Sequence, residues 1–299
     1  MNEFTGKMPD VRGSYRYNEP MKNHTWLNVG GPAEVMFLPA DPEDLQDFLR
    51  QKPQNMPIFV LGCGSNLLVR DGGIAGVTIK LEAKPFRAWR IEDDKLFCGA
   101  GMHNSELAKI LPRYELGGLE FLCSIPGSLG GAVRSNAGCF GASLSDVLIS
   151  AKVMNEQGQM MDVPVADFHF AYRHSDFPAD WIILELCLQV KKADSAQIEN
   201  QIKQNDEYRK THQPRGIRTA GSTFKNPTGY RAWELIKNAG MADVKIGGVR
   251  MSSQHCNFLE NDGTATAAEI EALGNKIVET VKQKYNVDLE WEVKRVGQQ

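Results

Sequence analysis

The sequence predicts an α+β fold, and three observations carry the prediction. Short strand-like runs recur along the chain with few helices between them, not in strict strand–helix alternation. Glycines collect into loops that directly follow such runs. Both standard nucleotide fingerprints fail where they are nearest. In the Gly62–Leu67 loop a G-x-G-x-x-G pattern would need glycine where Leu67 stands, and no Gly-Lys-Ser/Thr follows for a P-loop. A second near miss, Gly99-Ala100-Gly101, has Asn104 in the third place.

A chain of 299 residues has room for two domains or one large one, and 42% hydrophobic residues supply a sizeable core. The net charge of −3 gives no basic footprint for nucleic acid. Six cysteines at 63, 98, 123, 139, 187 and 256 form no C-x-x-C pair. They read as reduced thiols of a cytoplasmic protein, not as a disulfide framework or metal site. The six histidines show no metal-ligand spacing, so no metal is expected. The polar start lacks an apolar leader core, and no run is long and apolar enough to span a bilayer.

Residues up to about Glu19 read as a loose polar lead-in. Gly30-Gly31-Pro32 then separates two short apolar runs, which fits a hairpin. Asp41 followed by Pro42 starts a helix, with Leu45, Phe48 and Leu49 as its apolar face. Ile58–Leu61 is a buried strand running into Gly-Cys-Gly-Ser-Asn, and Val77–Leu81 is another. Further strands are expected at 86–91, 96–98, 148–154, 160–163 and 181–190. A helix over about 105–116 turns Leu107, Ile110 and Leu111 inward.

Around 194–214 the composition becomes polar, and a surface helix ending at Pro214 is read as a domain boundary. Beyond it come Thr219–Pro227, a helix near 231–239 closed by Gly240, and a capping box at Thr266 and Glu269. The box opens a helix whose Ile270, Leu273, Ile277, Val281 and Tyr285 make one stripe of core. An alternating strand ends the chain. The division expected is 1–84 and 85–195 as two subdomains, with the strand 289–299 returning to the first, and 205–288 as a smaller α+β domain.

The stretch Gly117–Ala142 holds seven glycines, with Ser124, Ser128, Ser135 and Asn136 between them. Helix interiors avoid glycine, so the run suggests a backbone that turns sharply or approaches another molecule closely. Clustered N–H groups and short hydroxyls suit a phosphate or a flat ring. A structural loop without a ligand is the equally weighted alternative from this run alone.

Several motifs occur together and in one order: LGCGSNLLVRDGGIAGVTI, GLEFLCSIPGSLGGAVRSNAGCFG, YRHSDF, AGSTFKNP, AWELIKNAG and LEWEVKRVG. In that order they resemble the UDP-N-acetylenolpyruvoylglucosamine reductase (UDP-N-acetylmuramate dehydrogenase) family, over nearly the whole chain after His24. The resemblance implies an FAD-binding fold of the vanillyl-alcohol-oxidase type followed by a smaller substrate-binding domain. It implies non-covalent FAD, NADPH as co-substrate, and a nucleotide-sugar substrate of peptidoglycan synthesis. On the family pattern the loop of Gly62, Cys63, Gly64, Ser65, Asn66 and Leu67 cradles the FAD pyrophosphate. Ile125, Pro126, Gly127 and Ser128, with Gly131, Ala132, Asn136 and Gly138, line the flavin. Arg173, Ser222 and Glu292 match catalytic positions, and Tyr172, Lys225 and Asn226 match substrate-binding ones. The short spacing from Arg173 to Ser222 matches the subtype without a tyrosine loop. Asn28 departs from the pattern, standing where many relatives carry a basic residue.

The implied reaction explains the residue types. Hydride addition to an enolpyruvyl ether builds negative charge next to the carboxylate, and that charge needs partners fixed beforehand. The planar fork of Arg173 suits an enolate and carboxylate. A protonated or Arg-bridged Glu292 can donate to the enol form. The Ser222 hydroxyl can deliver the proton. Taken singly, each residue reads more simply as a surface charge, a turn hydroxyl or a solvated strand residue; only together do they read as a site. Two rivals remain at this level. One is a flavin oxidase or dehydrogenase of the same fold acting on another small substrate. The other is a non-catalytic nucleotide-binding module.

Overall fold

The structure, a computed structural model, describes residues 8–299. Residues 1–7, on which the expectation of no secretory leader partly rests, lie outside the described residues. The chain divides into two compact units. The first takes residues up to Tyr17, then Val35–Cys63 and Gly76–Tyr208; the second takes Asn18–Glu34, Gly64–Ala75 and Arg209–Gln299.

The first unit contains two mixed cores. One sheet orders Ser14–Pro20, Pro32–Leu38, Ile74–Lys80 and Ile58–Leu61, the last two in parallel from Ile58↔Val77 to Leu61↔Lys80. The helix Pro42–Gln51 packs Leu45, Phe48 and Leu49 with Val35, Phe37, Val77 and Ile79. It begins as its sequence dictates: the Asp41 carboxylate accepts the Asp44 N–H at 2.9 Å, and Pro42 opens the first turn. The other sheet is antiparallel throughout, in the order Met160–Pro164, Leu148–Met154, Ile182–Gln189, Lys95–Gly99 and Trp89–Glu92. Its buried face and the helix Leu107–Arg113 enclose a core with Leu96, Leu107, Ile110, Leu111, Val153 and Leu186.

The second unit is built on the helix Ala267–Tyr285. Thr266 and Glu269 form the capping box there, with the Asp71 carboxylate adding acceptors for the N–H groups of Ala267 and Ala268 at 3.0 and 2.9 Å. Ile270, Leu273, Ile277 and Val281 are buried as the stripe demands. A three-stranded sheet of Lys245–Ile246, Val249–Met251 and Leu259–Asn261 and the helix Ala232–Asn238 complete this core. Gly274 sits mid-helix for a packing reason: a Cβ there would run into the Trp291 ring, which rests on Phe224 with centroids 5.2 Å apart.

Several expectations are corrected. The lead-in contains the strand Ser14–Pro20, an edge strand whose exposure explains its polar sequence; its Tyr15 ring lies 5.2 Å from Phe37. The apolar run at 24–29 before Gly30-Gly31 forms no strand: the Thr25 hydroxyl donates to the Val29 carbonyl at 2.8 Å and Asn28 is left-handed at φ 56°. Pro32–Leu38 pairs instead with the earlier strand Ser14–Pro20. Residues 84–87 form a 3-10 turn before the strand Trp89–Glu92. The helix at 105–116 shortens to Leu107–Arg113, with a 3-10 turn at Asn104–Glu106 before it and a left-handed Glu115, φ 55°, just beyond its end. The terminal strand contracts to Lys294–Val296, which pairs in parallel with Leu67–Val69. Gly130 and Gly131 lie inside a helix, Leu129–Arg134, despite glycine's poor propensity. A Cβ on Gly130 would stand 3.0 Å from the Ala100 Cβ, so close packing selects glycine there.

Asp44 is 2% exposed and accepts three backbone N–H groups: Arg12 at 2.7 Å, Gly13 at 2.9 Å and Ala40 at 2.9 Å. Asp44→Ala strands those donors, and bonds to a charged group are worth more than neutral ones. We expect a loss of roughly 2–5 kcal/mol in unfolding free energy, read from urea titrations. An unchanged urea midpoint would show that water serves these donors equally well.

Candidate active site

The glycine run forms a loop in the first unit that is fastened to the Gly99–Asn104 segment. The Asn104 N–H donates to the Gly127 carbonyl at 3.0 Å and its side-chain amide donates to the Ile125 carbonyl at 3.1 Å. His103 and Ser128 bridge beside them. Sequence reading missed Asn104, although it stands in the third place of the Gly99-Ala100-Gly101 near miss. The N–H groups at the start of the Leu129–Arg134 helix are not bare. Leu129 donates to Met102, Gly130 to Ala100, and Gly131 to the Ser128 hydroxyl. This helix end therefore serves the fold and not an anion.

Other parts of the two loops keep capacity for a ligand. Asn104 is 1% exposed, yet its Oδ1 has no partner among the described residues. Such an unpaired buried acceptor is an exception to the rule that buried polar atoms are hydrogen-bonded. The N–H groups of Cys63 and Gly64 likewise meet no acceptor among the described residues. A Cβ on Gly62 would stand 2.9 Å from the Ser128 hydroxyl, with nothing else near. The thiol of Cys63 also faces Ser128, and burial pushes it up from its ordinary value, which keeps it protonated. These features suit a bound dinucleotide cofactor.

Beyond the loop, Asn136 and the short hairpin of Phe170–Ala171 and His174–Ser175 place Tyr172 and Arg173 at a two-residue turn. Arg173 adopts φ 55°, and its guanidinium lies 5.1 Å from the Tyr172 ring centroid. Tyr172 is 53% exposed, and Arg173 is partly buried.

The second unit brings Ser222 and Glu292 together on adjoining segments. Thr223 accepts the Glu292 N–H at 2.8 Å, Phe224 bridges Trp291, and Ser222 bridges Phe258 on the other side. Asn257, 4% exposed and also missed in sequence, fixes this arrangement. Its side-chain amide both accepts from the Phe224 N–H at 3.0 Å and donates to the Phe224 carbonyl at 2.8 Å, while its own carbonyl accepts from Thr223. No pattern in the sequence marks it, because its partners are backbone atoms 33 residues away. The Asn66 amide donates to the Glu292 carbonyl at 3.1 Å. Lys225 pairs with Glu290 at 2.6 Å, and the Asn226 side chain accepts the Ala232 N–H at 3.0 Å, ahead of the helix Ala232–Asn238. Ser222 and Glu292 are both partly buried.

Fold and loops define a flavin-binding protein: residues 33–164 match the FAD-binding domain family, and residues 213–296 match the C-terminal domain of UDP-N-acetylenolpyruvoylglucosamine reductase. The reductase of that name from Bradyrhizobium sp. (strain ORS 278) is 41% identical, over 99% of this chain and 96% of the relative. The one from Nitrobacter hamburgensis is 42% identical, over 99% of this chain and 97% of the relative. The crystal structure of the Thermus caldophilus reductase superposes with a TM-score of 0.81 at 31% identity, covering 96% of this chain and 99% of that one. The chain belongs to the UDP-N-acetylenolpyruvoylglucosamine reductase family.

Glycine substitutions separate cofactor capture from folding. Gly64 has φ +63°, and a Cβ there would collide with the His24 carbonyl. Gly62 has neither constraint beyond the Ser128 hydroxyl, which can rotate. Gly64→Ala should lower the melting temperature of the apoprotein. Gly62→Val should leave that temperature close to wild type and lower bound flavin per chain, read at 450 nm. Equal flavin occupancy in Gly62→Val would remove this residue from the cofactor cradle.

Proposed function

We infer that the chain reduces the enolpyruvyl ether of UDP-N-acetylglucosamine-enolpyruvate to the lactyl ether of UDP-N-acetylmuramate, using non-covalent FAD and NADPH. The observation that supports this most strongly is the pairing of the Ser222 and Glu292 segments within the unit that matches the reductase C-terminal domain. On this reading the enzyme acts in peptidoglycan precursor synthesis, and we assign it to the cytoplasm and to wall biogenesis, cell shape and division. We assign residues 1–84, with 289–299, and 85–195 to FAD, and 205–288 to the nucleotide sugar. Among the described residues no helix is long and apolar enough to cross a membrane, and no cluster of ligands could hold a metal.

When bound, FAD supplies the hydride that NADPH has given it. We assign its pyrophosphate to Gly62–Leu67, where the N–H groups of Cys63 and Gly64 await acceptors. Its ring is assigned to Ile125–Ser128, Gly131, Ala132, Asn136 and Gly138. Tyr172, Lys225 and Asn226 are assigned to the substrate. Lys225 would exchange its Glu290 partner for a phosphate or sugar oxygen.

The remaining work falls to three side chains. Hydride addition at the terminal alkene carbon leaves an electron pair on the carbon next to the carboxylate. Arg173 holds the carboxylate and the developing enolate through its fork. Glu292, protonated, donates a hydrogen bond to a carboxylate oxygen and keeps its proton, stabilising the enol form. Ser222 Oγ–H then delivers its proton to the carbon, completing addition of hydride and proton across the double bond. Serine is a weak acid, so delivery succeeds only towards a basic carbon at fixed range. Asn257 and Glu292 hold the Ser222 segment from both sides for that purpose.

The protein should purify yellow, and acid precipitation should release FAD to the supernatant; a yellow pellet would point to a covalent link. Ser222→Ala should be reduced by NADPH at a normal rate and then reoxidised by the enolpyruvyl substrate about 10²–10⁴-fold more slowly. Anaerobic stopped-flow absorbance follows both half-reactions. Equal slowing of the two would make Ser222 a structural residue, and no slowing would move the proton to another donor.

A further inference from the structure

The turn that carries Arg173 belongs to a hairpin too small to hold itself. Its strands, Phe170–Ala171 and His174–Ser175, make only the pairs Phe170↔Ser175 and Ala171↔His174. Isolated hairpins are marginal even at greater length. Arg173 adds backbone strain, since φ 55° is a left-handed conformation that L residues other than Asn and Asp seldom adopt.

What fixes the turn comes from the glycine run. The Asn136 side-chain amide donates to the Ala171 carbonyl at 3.1 Å, one residue before Tyr172. Its Oδ1 accepts the Ser145 N–H at 3.0 Å. On the opposite strand the Ser175 hydroxyl donates to the Arg134 carbonyl at 3.2 Å. The Arg134 guanidinium donates onward to the carbonyls of Phe177, Pro178 and Trp181. Asn136 is 5% exposed and sits at φ 41°, a conformation asparagine tolerates better than most residues. Each end of its amide is bonded to protein backbone.

We propose that Asn136 is a positioning residue for Arg173: it binds the Tyr172–Arg173 turn to the glycine loop and sets where the guanidinium meets the substrate carboxylate. The proposal rests on the role given to Arg173 above. It changes the meaning of Asn136, whose amide acts on the neighbouring backbone in addition to lining the flavin. It also makes the loop and the turn one mechanical piece. A misplacement of about 1 Å at a reacting group can cost on the order of 100-fold in rate.

Asn136→Asp keeps the size and the acceptor for Ser145 but sets a carboxylate oxygen against the Ala171 carbonyl. Both half-reactions are measured in wild type, Asn136→Asp, Arg173→Ala and the double variant. In Asn136→Asp we expect substrate-driven reoxidation to slow about 10- to 100-fold relative to reduction by NADPH. The double variant should be no slower than Arg173→Ala alone. If the Asn136→Asp loss persists in full without Arg173, the residue acts elsewhere and the proposal is overturned. If Arg173→Ala is slow while Asn136→Asp reoxidises normally, the bracket is refuted and the role of Arg173 stands. If Arg173→Ala is itself unimpaired, that role fails and the proposal with it. Should Asn136→Asp not fold, Ser175→Ala removes the second fastening and enters the same cycle. A Ser175→Ala loss of the same kind that vanishes without Arg173 supports the bracket, and normal reoxidation refutes it.

Discussion

Side-chain amides of asparagine do here what strand partners do in an ordinary sheet. The segments that carry the three proposed catalytic residues are short and irregular: a two-residue turn at Arg173, an isolated bridge at Ser222, and the stretch before Lys294–Val296 at Glu292. None has a ladder long enough to fix it. Asn136 holds the first by the Ala171 carbonyl, Asn257 holds the second by both polar atoms of Phe224, and Asn66 holds the third by the Glu292 carbonyl. A fourth, Asn104, fastens the Ile125–Gly127 loop. A single such bond contributes only about 1 kcal/mol net. In Asn136 and Asn257 its value lies in direction, because a planar amide with one donor side and one acceptor side admits little rotation once both are engaged.

Glycine supplies the complementary constraint. Gly99 and Gly101 lie where a Cβ would collide with the backbone of Phe86 and Leu81, and Gly130 packs on Ala100. The sheet strand Lys95–Gly99, the turn after it and the Leu129–Arg134 helix therefore stack at backbone distance. That closeness lets Ala100 and Met102 carbonyls take the first N–H groups of the helix. The glycine run is thus largely a packing device, and the proposed cofactor cradle rests on the loop at Gly62–Leu67.

The sequence disclosed elements whose signal is local. Asp41-Pro42 and the Thr266–Glu269 box mark helix starts, and Ile58–Leu61 and Leu148–Met154 emerge as strands with the bounds expected. It concealed elements whose identity depends on partners elsewhere. Ser14–Pro20 looks like tail because an exposed edge strand needs few apolar residues. Gly130 looks like loop because the reason for it, Ala100, lies some thirty positions away. Arg173, Ser222 and Glu292 are proposed for the site only through the order of motifs around them. The holding role of the asparagines was not legible, since a buried amide bonded to backbone leaves no periodicity and needs no particular neighbour.

This arrangement also bears on the role of acid proposed for Ser222. A hydroxyl donates to carbon only when the basic centre lies within hydrogen-bond reach and water is kept from competing. Ser222 meets the first need by rigidity: Thr223 and Phe224, its immediate successors, are 2% and 1% exposed and are hydrogen-bonded on both flanks. The Phe224–Trp291 contact, made possible by Gly274, adds an apolar wall behind the segment. A stronger acid on a looser loop would protonate solvent-borne bases as readily as substrate. A weak acid on a fixed segment discriminates by position, so selectivity comes from the fold and reactivity from the basic carbon that hydride addition creates.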